Sequence, residues 1–189
     1  MKSSFLYNPT DAGKHGHAAS LARDGERFYA VWYAYPEKEH ENGRLAFAAG
    51  TIGNKWGKAS ALDFDIASSC GNPVIFLDGS GKLWLFFVLI QGSYWNHAVV
   101  YIVSSSDGGL TWGMPRNAGL PSGVMVRHQP YRLCNGDLLL PAYDEEAKRT
   151  LLMRAERPDG EWKQVYQFPE NFIQAVSVPL GGTELQLYF

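Results

Sequence analysis

Side chains able to do chemistry gather in a few short stretches of this 189-residue chain. Arg127 and His128 stand just ahead of Gln129-Pro130, and an arginine's planar fork suits bidentate pairing with a carboxylate. The run Pro36-Glu37-Lys38-Glu39-His40-Glu41 offers Glu37 and Glu39, which can transfer protons if burial raises their pKa values. The same run reads equally as a solvated turn. Tyr143-Asp144-Glu145 sets an aromatic beside two carboxylates, either a ligand contact or a polar turn. Tyr94-Trp95 lies in a Gly/Ser/Asn loop, and an exposed aromatic pair is unusual unless something covers it; packing between sheets is the alternative. His17, His128 and Gln174 complete the set, with both histidines also readable as satisfied residues at junctions. Cys70 and Cys134 lack metal-ligand spacing and are too few for a disulfide framework, so neither a metal nor another cofactor is expected.

The elements that must position these groups are β-strands. With 46% hydrophobic and 19% charged residues the chain is globular, and 14% aromatics favours pleated, buried surfaces. A net charge of -2 leaves no basic surplus for phosphates, which argues against nucleic acid as a partner. Residues 1–13 lack the apolar run of a signal peptide, and no stretch approaches the ~20 apolar residues of a membrane span. A soluble chain, cytoplasmic or of unknown compartment and with no membrane partner, is the expectation.

A repeat of roughly 50 residues runs through the sequence. Each unit opens with a strand, turns on a glycine and returns as a second strand. The turn glycines fall at 25, 81, 136 and 182. Third strands follow at 45–49, 99–103 and 151–155, each closed by a turn and a tryptophan: Trp56, Trp112 and Trp162. Gaps of 56 and 55 between the first glycines echo gaps of 56 and 50 between the tryptophans, so two markers report one period. The run 83–88, Leu-Trp-Leu-Phe-Phe-Val, is apolar on both faces, as a strand stacked between neighbours must be. No amphipathic helical pattern separates the strands; a β-sandwich remains the alternative.

One motif is sharper than the pattern around it. Ser105-Ser106-Asp107-Gly108-Gly109-Leu110-Thr111-Trp112 fits SxDxGxTW, the Asp box, in which an aspartate caps backbone N–H groups and a tryptophan packs between strands. Pro158-Asp159-Gly160-Glu161-Trp162 and Gly53-Asn54-Lys55-Trp56 are weaker versions. A full Asp box between third and fourth strands resembles the sialidase (neuraminidase) family and its BNR-repeat relatives, as do Asn72-Pro73-Val74, Gln129-Pro130 and Ile173-Gln174-Ala175 as blade openings. The resemblance implies an all-β, sialidase-like β-propeller of about three and a half four-stranded blades, near residues 15–66, 70–120, 127–169 and 172–189, in one partial domain. It also implies that Asp107, Thr111 and Trp112 fold the outer rim rather than act on substrate.

That resemblance assigns roles. In the family, arginines clamp a sugar carboxylate, a Tyr with a Glu is the nucleophile, and an Asp is the acid/base, a departure from the usual two-carboxylate scheme. Arg127 matches a clamp position. Where an FRIP-like motif is common, this chain has Gly16-His17-Ala18-Ala19, and where the acid/base Asp belongs it has Glu37 and Glu39. Catalytic candidates are therefore Glu37, Glu39 and Arg127; binding candidates are His17, Tyr94, Trp95, His128, Tyr143, Asp144, Glu145 and Gln174. The implied partner is a glycan or small acidic sugar, handled by a glycoside hydrolase incomplete for catalysis as a lone chain or by a non-catalytic binding module. A closed ring needs more strands, so coverage of the apolar last strand by Phe5-Leu6-Tyr7, by a longer chain or by a second copy is expected.

Overall fold

The computed structural model describes residues 13–53, 56–181 and 184–189. Strands β1 (His15–Asp24), β2 (Arg27–Tyr35), β3 (Arg44–Thr51) and β4 (Ser60–Leu62) form one antiparallel sheet in chain order. Strands β5 (Cys70–Leu77), β6 (Leu83–Ile90), β7 (Ala98–Ser105) and β8 (Arg116–Asn117) form a second in the same order. The third contains β9 (Val124–Val126), β10 (Tyr131–Arg132), β11 (Leu138–Asp144), β12 (Arg149–Ala155) and β13 (Lys163–Gln167). A hairpin of β14 (Val176–Gly181) and β15 (Glu184–Tyr188) follows. Among the described residues the only helical element is a 3₁₀ turn at Trp95–His97, and no helix is long and apolar enough to cross a membrane.

Alternation at period two divides the second sheet between two cores. Leu83, Leu85, Phe87 and Leu89 face the first sheet, where they meet Tyr29, Val31, Tyr33 and Phe47. Trp84, Phe86 and Val88 face the third, against Leu138, Leu140, Tyr143 and Met153. Every residue of β6 is buried for that reason. The two apolar faces seen in the sequence are thus two separate interfaces.

The Asp box joins sheets as well as closing a hairpin. Asp107 Oδ1 accepts from the Thr111 backbone N–H at 2.9 Å and from Ser105 Oγ at 2.7 Å, and Oδ2 accepts from the Thr111 hydroxyl. Those hydrogen bonds, led by the Thr111 hydroxyl, hold the carboxyl down at about 2. Trp112 meets Phe47 of β3 edge-on at 5.7 Å, and Gly109, at φ +87°, lies against the same ring with no space for a Cβ. Trp162 repeats the arrangement one sheet on, edge-on to Phe86 at 5.8 Å. Its box has no equivalent carboxylate staple: Asp159 pairs with Arg157 at 3.1 Å, and the turn is held by Gly160 N–H donating to the Arg157 carbonyl. In the first version, Asn54 and Lys55 lie outside the described residues, as do Phe5-Leu6-Tyr7 and Gly182.

The first strand of each of the first three units is interrupted where it nears the others. Register breaks fall between His17 and Ser20 and between Gly71 and Val74, with Ala18 at φ +53° and Asn72 at φ +41°. Gln174, just ahead of β14, takes φ +58°. In the third sheet the interruption is complete: β9 and β10 both pair with β11, and Arg127 to Pro130 between them pair with nothing in the ladder. Pro130 has no N–H to give to a ladder at that point. These breaks release side chains from the pleat and aim them at a common point.

Candidate functional site

That point is a pocket of about 150 Å³ lined by His17, Tyr33, Glu39, Asn72, Trp95, Met125, Arg127, Tyr143, Glu145 and Gln174. All three sheets and the terminal hairpin's opening contribute. From the first sheet, His17 Nδ1 lies 3.0 Å from the Tyr33 hydroxyl and 3.2 Å from Glu39 Oε2, and the Tyr33 hydroxyl donates to Glu39 at 3.5 Å. Burial, and next the Glu39 charge, push Tyr33 above the ordinary tyrosine range. On the other side Asn72 donates to the Tyr143 hydroxyl at 2.9 Å. Burial, with Glu145 adding to it, pushes Tyr143 up to about 12. Both tyrosines are therefore neutral at ordinary pH.

Arg127 is half-buried and makes no hydrogen bond or ion pair among the described residues. Its charge acts on both tyrosine hydroxyls, favouring their ionised forms, and it lines the pocket with both. An unpaired cation held partly out of water favours any anion that can reach it. Among the described residues no cluster of His, Cys, Asp and Glu could hold a metal ion.

The structure gathers His17, Glu39, Trp95, Arg127, Tyr143, Glu145 and Gln174 here and puts the remaining candidates elsewhere. Glu37 is exposed and pairs with Lys14, whose hydrogen bond and charge lower its pKa, the opposite of what an acid/base group needs. Tyr94 is 63% exposed and leans on His40 at 5.5 Å, outside the pocket. The expected aromatic pair is split, because Trp95 turns inward, edge-on to Tyr33 at 6.0 Å. Gly71 makes that possible: a Cβ there would sit 2.5 Å from the indole. Asp144 caps its own hairpin, accepting from the N–H groups of Glu146 and Ala147 at 2.9 and 2.8 Å. His128 meets Ser177 Oγ at 3.3 Å at the junction with the terminal hairpin, and burial holds its pKa low. Tyr33 and Met125 were not foreseen. Tyr33 hides within the apolar run of β2, and only its pairing opposite His17 marks it.

Comparison with known proteins agrees with this architecture. The BNR repeat-like domain family matches residues 25–189. The leech intramolecular trans-sialidase superposes with a TM-score of 0.81 at 11% identity, over 100% of this chain and 49% of that one. The intramolecular trans-sialidase of Ruminococcus gnavus gives 0.79 at 14% identity, over 98% and 68%. The Hadza microbial sialidase Hz136 gives 0.79 at 14%, over 94% and 42%, so this chain spans less than half of that structure's length. No curated protein matches by sequence. At such identities the structures establish the fold, a sialidase-like all-β propeller architecture, while the sequence match over most of the chain establishes the family: the chain belongs to the BNR repeat-like domain family.

Proposed function

We propose that the pocket receives a terminal acidic sugar of a glycan, with Arg127 binding its carboxylate. The carrying observation is the half-buried guanidinium without an ion-pair partner among the described residues, lining the pocket with two neutral tyrosines. A carboxylate satisfies its fork bidentately, and Asn72, Gln174 and the hydroxyls of Tyr33 and Tyr143 suit a sugar's remaining oxygens. At about 150 Å³ the pocket is an open recess suited to the carboxylate end of one sugar rather than to a stretch of glycan. Glu39, in contact with His17 and Tyr33, is the group suited to proton transfer in a glycoside hydrolase-type reaction.

A second reading, a non-catalytic carbohydrate-binding module, is favoured by the same tyrosines. Held above their ordinary range, neither is poised as a nucleophile. Calorimetry with N-acetylneuraminic acid tests the shared premise. Arg127→Ala should weaken binding at least about 10-fold, since a hydrogen-bonded charged pair contributes about 1.5–3 kcal/mol; unchanged affinity would refute the reading. Turnover of a fluorogenic sialoside, lost in Glu39→Gln with binding retained, separates hydrolase from binding module. Completion of the ring by a second copy is part of the proposal, motivated by the exposed Val176, Val178 and Leu180 of β14. Sedimentation as a compact monomer in dilute solution would remove it.

A further inference from the structure

We infer that Asn72 is a positioning residue that turns the Tyr143 hydroxyl proton into the pocket, making Tyr143 a fixed hydrogen-bond donor to a ligand oxygen beside the carboxylate on Arg127. The choice of ligand rests on the acidic-sugar reading above; the proton's direction does not.

Asn72 sits in the break of β5, at φ +41°, with its side chain buried across the junction between the second and third sheets. Its amide nitrogen is 2.9 Å from the Tyr143 oxygen and 3.8 Å from Met125 Sδ. A thioether can only accept, whereas a hydroxyl can do either, so the end of the amide facing both groups must be the donating one. The Tyr143 oxygen therefore accepts from Asn72, and its own proton needs another acceptor. Gln174 also hydrogen-bonds this hydroxyl in the sense that favours its ionised form, as a donor does, which leaves Glu145 or a bound ligand to take the proton. Tyr143 is 1% exposed, so its ring cannot swing away to find water instead. Because burial keeps the phenol protonated, that donor persists across the physiological pH range.

The backbone explains why an asparagine stands here. Asn and Asp tolerate the left-handed region better than other side chains, and of the two only Asn carries a donor. Asn72→Asp thus keeps the shape and backbone preference while replacing the donor with an acceptor that captures the Tyr143 proton.

A double-mutant cycle with N-acetylneuraminic acid reads this directly. Tyr143→Phe in the native background should weaken binding about 10-fold. In the Asn72→Asp background the same change should alter it by less than about twofold, because the proton no longer faces the ligand. The charge of the introduced carboxylate cancels, being present in both arms of that comparison. An equal loss in both backgrounds overturns the inference. Asn72→Gly, which accepts the same backbone conformation, gives the cycle again if the aspartate variant does not fold. In the ligand-free protein, the ¹³Cζ resonance of labelled Tyr143 should move in Asn72→Asp; an unmoved resonance also overturns it. If native protein ignores the sugar while the resonance moves, the acidic-sugar reading fails and the proton's direction stands.

Discussion

Sheets two and four are built from one repeat and end in opposite states. Two residues after the left-handed Asn72 comes Val74, paired with Phe86; two residues after the left-handed Gln174 comes Val176, paired with Tyr188. Val74 and Phe86 are 1% and 0% exposed, while Val176 and Tyr188 are 39% and 53% exposed. Each valine follows a left-handed residue by two positions and faces an aromatic across an antiparallel pair. The difference is in neighbours: the second sheet has four strands and is sandwiched by the first and third, whereas among the described residues β14 and β15 form a two-stranded sheet that meets the third. A repeat of this kind specifies a strand and its faces, and stacking supplies the stability.

The largest effect expected from that contrast is at the paired aromatics. Phe86→Ala removes a ring stacked on Phe76 at 5.7 Å and met edge-on by Trp162, and should destabilise by about 3–5 kcal/mol in denaturant unfolding. Tyr188→Ala should stay within about 0.5 kcal/mol. Equal losses would mean that the terminal hairpin is as deeply packed in solution as the second sheet. Next, Gly109→Ala should cost about 1–3 kcal/mol, since the new methyl meets the Phe47 ring at a positive φ. Phe47→Leu should relieve part of that loss, which a purely backbone effect would not allow.

Asp107 sharpens the comparison further, because the terminal hairpin has no such staple among its described residues. Its folded-state pKa is depressed, so its contribution is complete above the ordinary carboxylate range of about 4 and is lost as pH falls toward about 2. Melting temperature measured from pH 5 to pH 2 should fall less steeply in Asp107→Ala than in the native protein. Parallel curves would remove the carboxylate from the stapling role.

Period, turn glycines and tryptophans were legible because each depends on short-range chemistry: positive φ at turns, alternation along strands, a large ring at a fixed offset. Arg127, Glu39, Gln174 and His17 were legible as openings and loops that a propeller brings to one rim. What escaped was set by the neighbouring sheet. Tyr33 looks like any residue of an apolar strand until His17 and Glu39 are placed beside it. Trp95 reads as half of an exposed pair until Gly71, 24 residues earlier and on β5, leaves room for its indole. Glu37 and Glu39 are two residues apart and indistinguishable by type, yet Lys14 takes one outward and His17 holds the other at the pocket. Asp144 and Glu145 divide in the same manner between a turn cap and the pocket wall.

A pair of valine truncations most directly tests whether burial, rather than sequence, separates the two sheets. Val74→Ala and Val176→Ala delete the same two methyl groups from the same position of the repeat. At Val74 the loss should be about 2 kcal/mol, from the transfer term plus the void left between two sheets that cannot collapse onto it. At Val176, already 39% exposed, little apolar area returns to water and no closed void forms, so the change should stay below about 0.5 kcal/mol. Repeating the pair over a range of protein concentrations adds the decisive variable. If a second copy covers β14, the cost of Val176→Ala must rise toward that of Val74→Ala as concentration increases, because burial at that site would then be coupled to association.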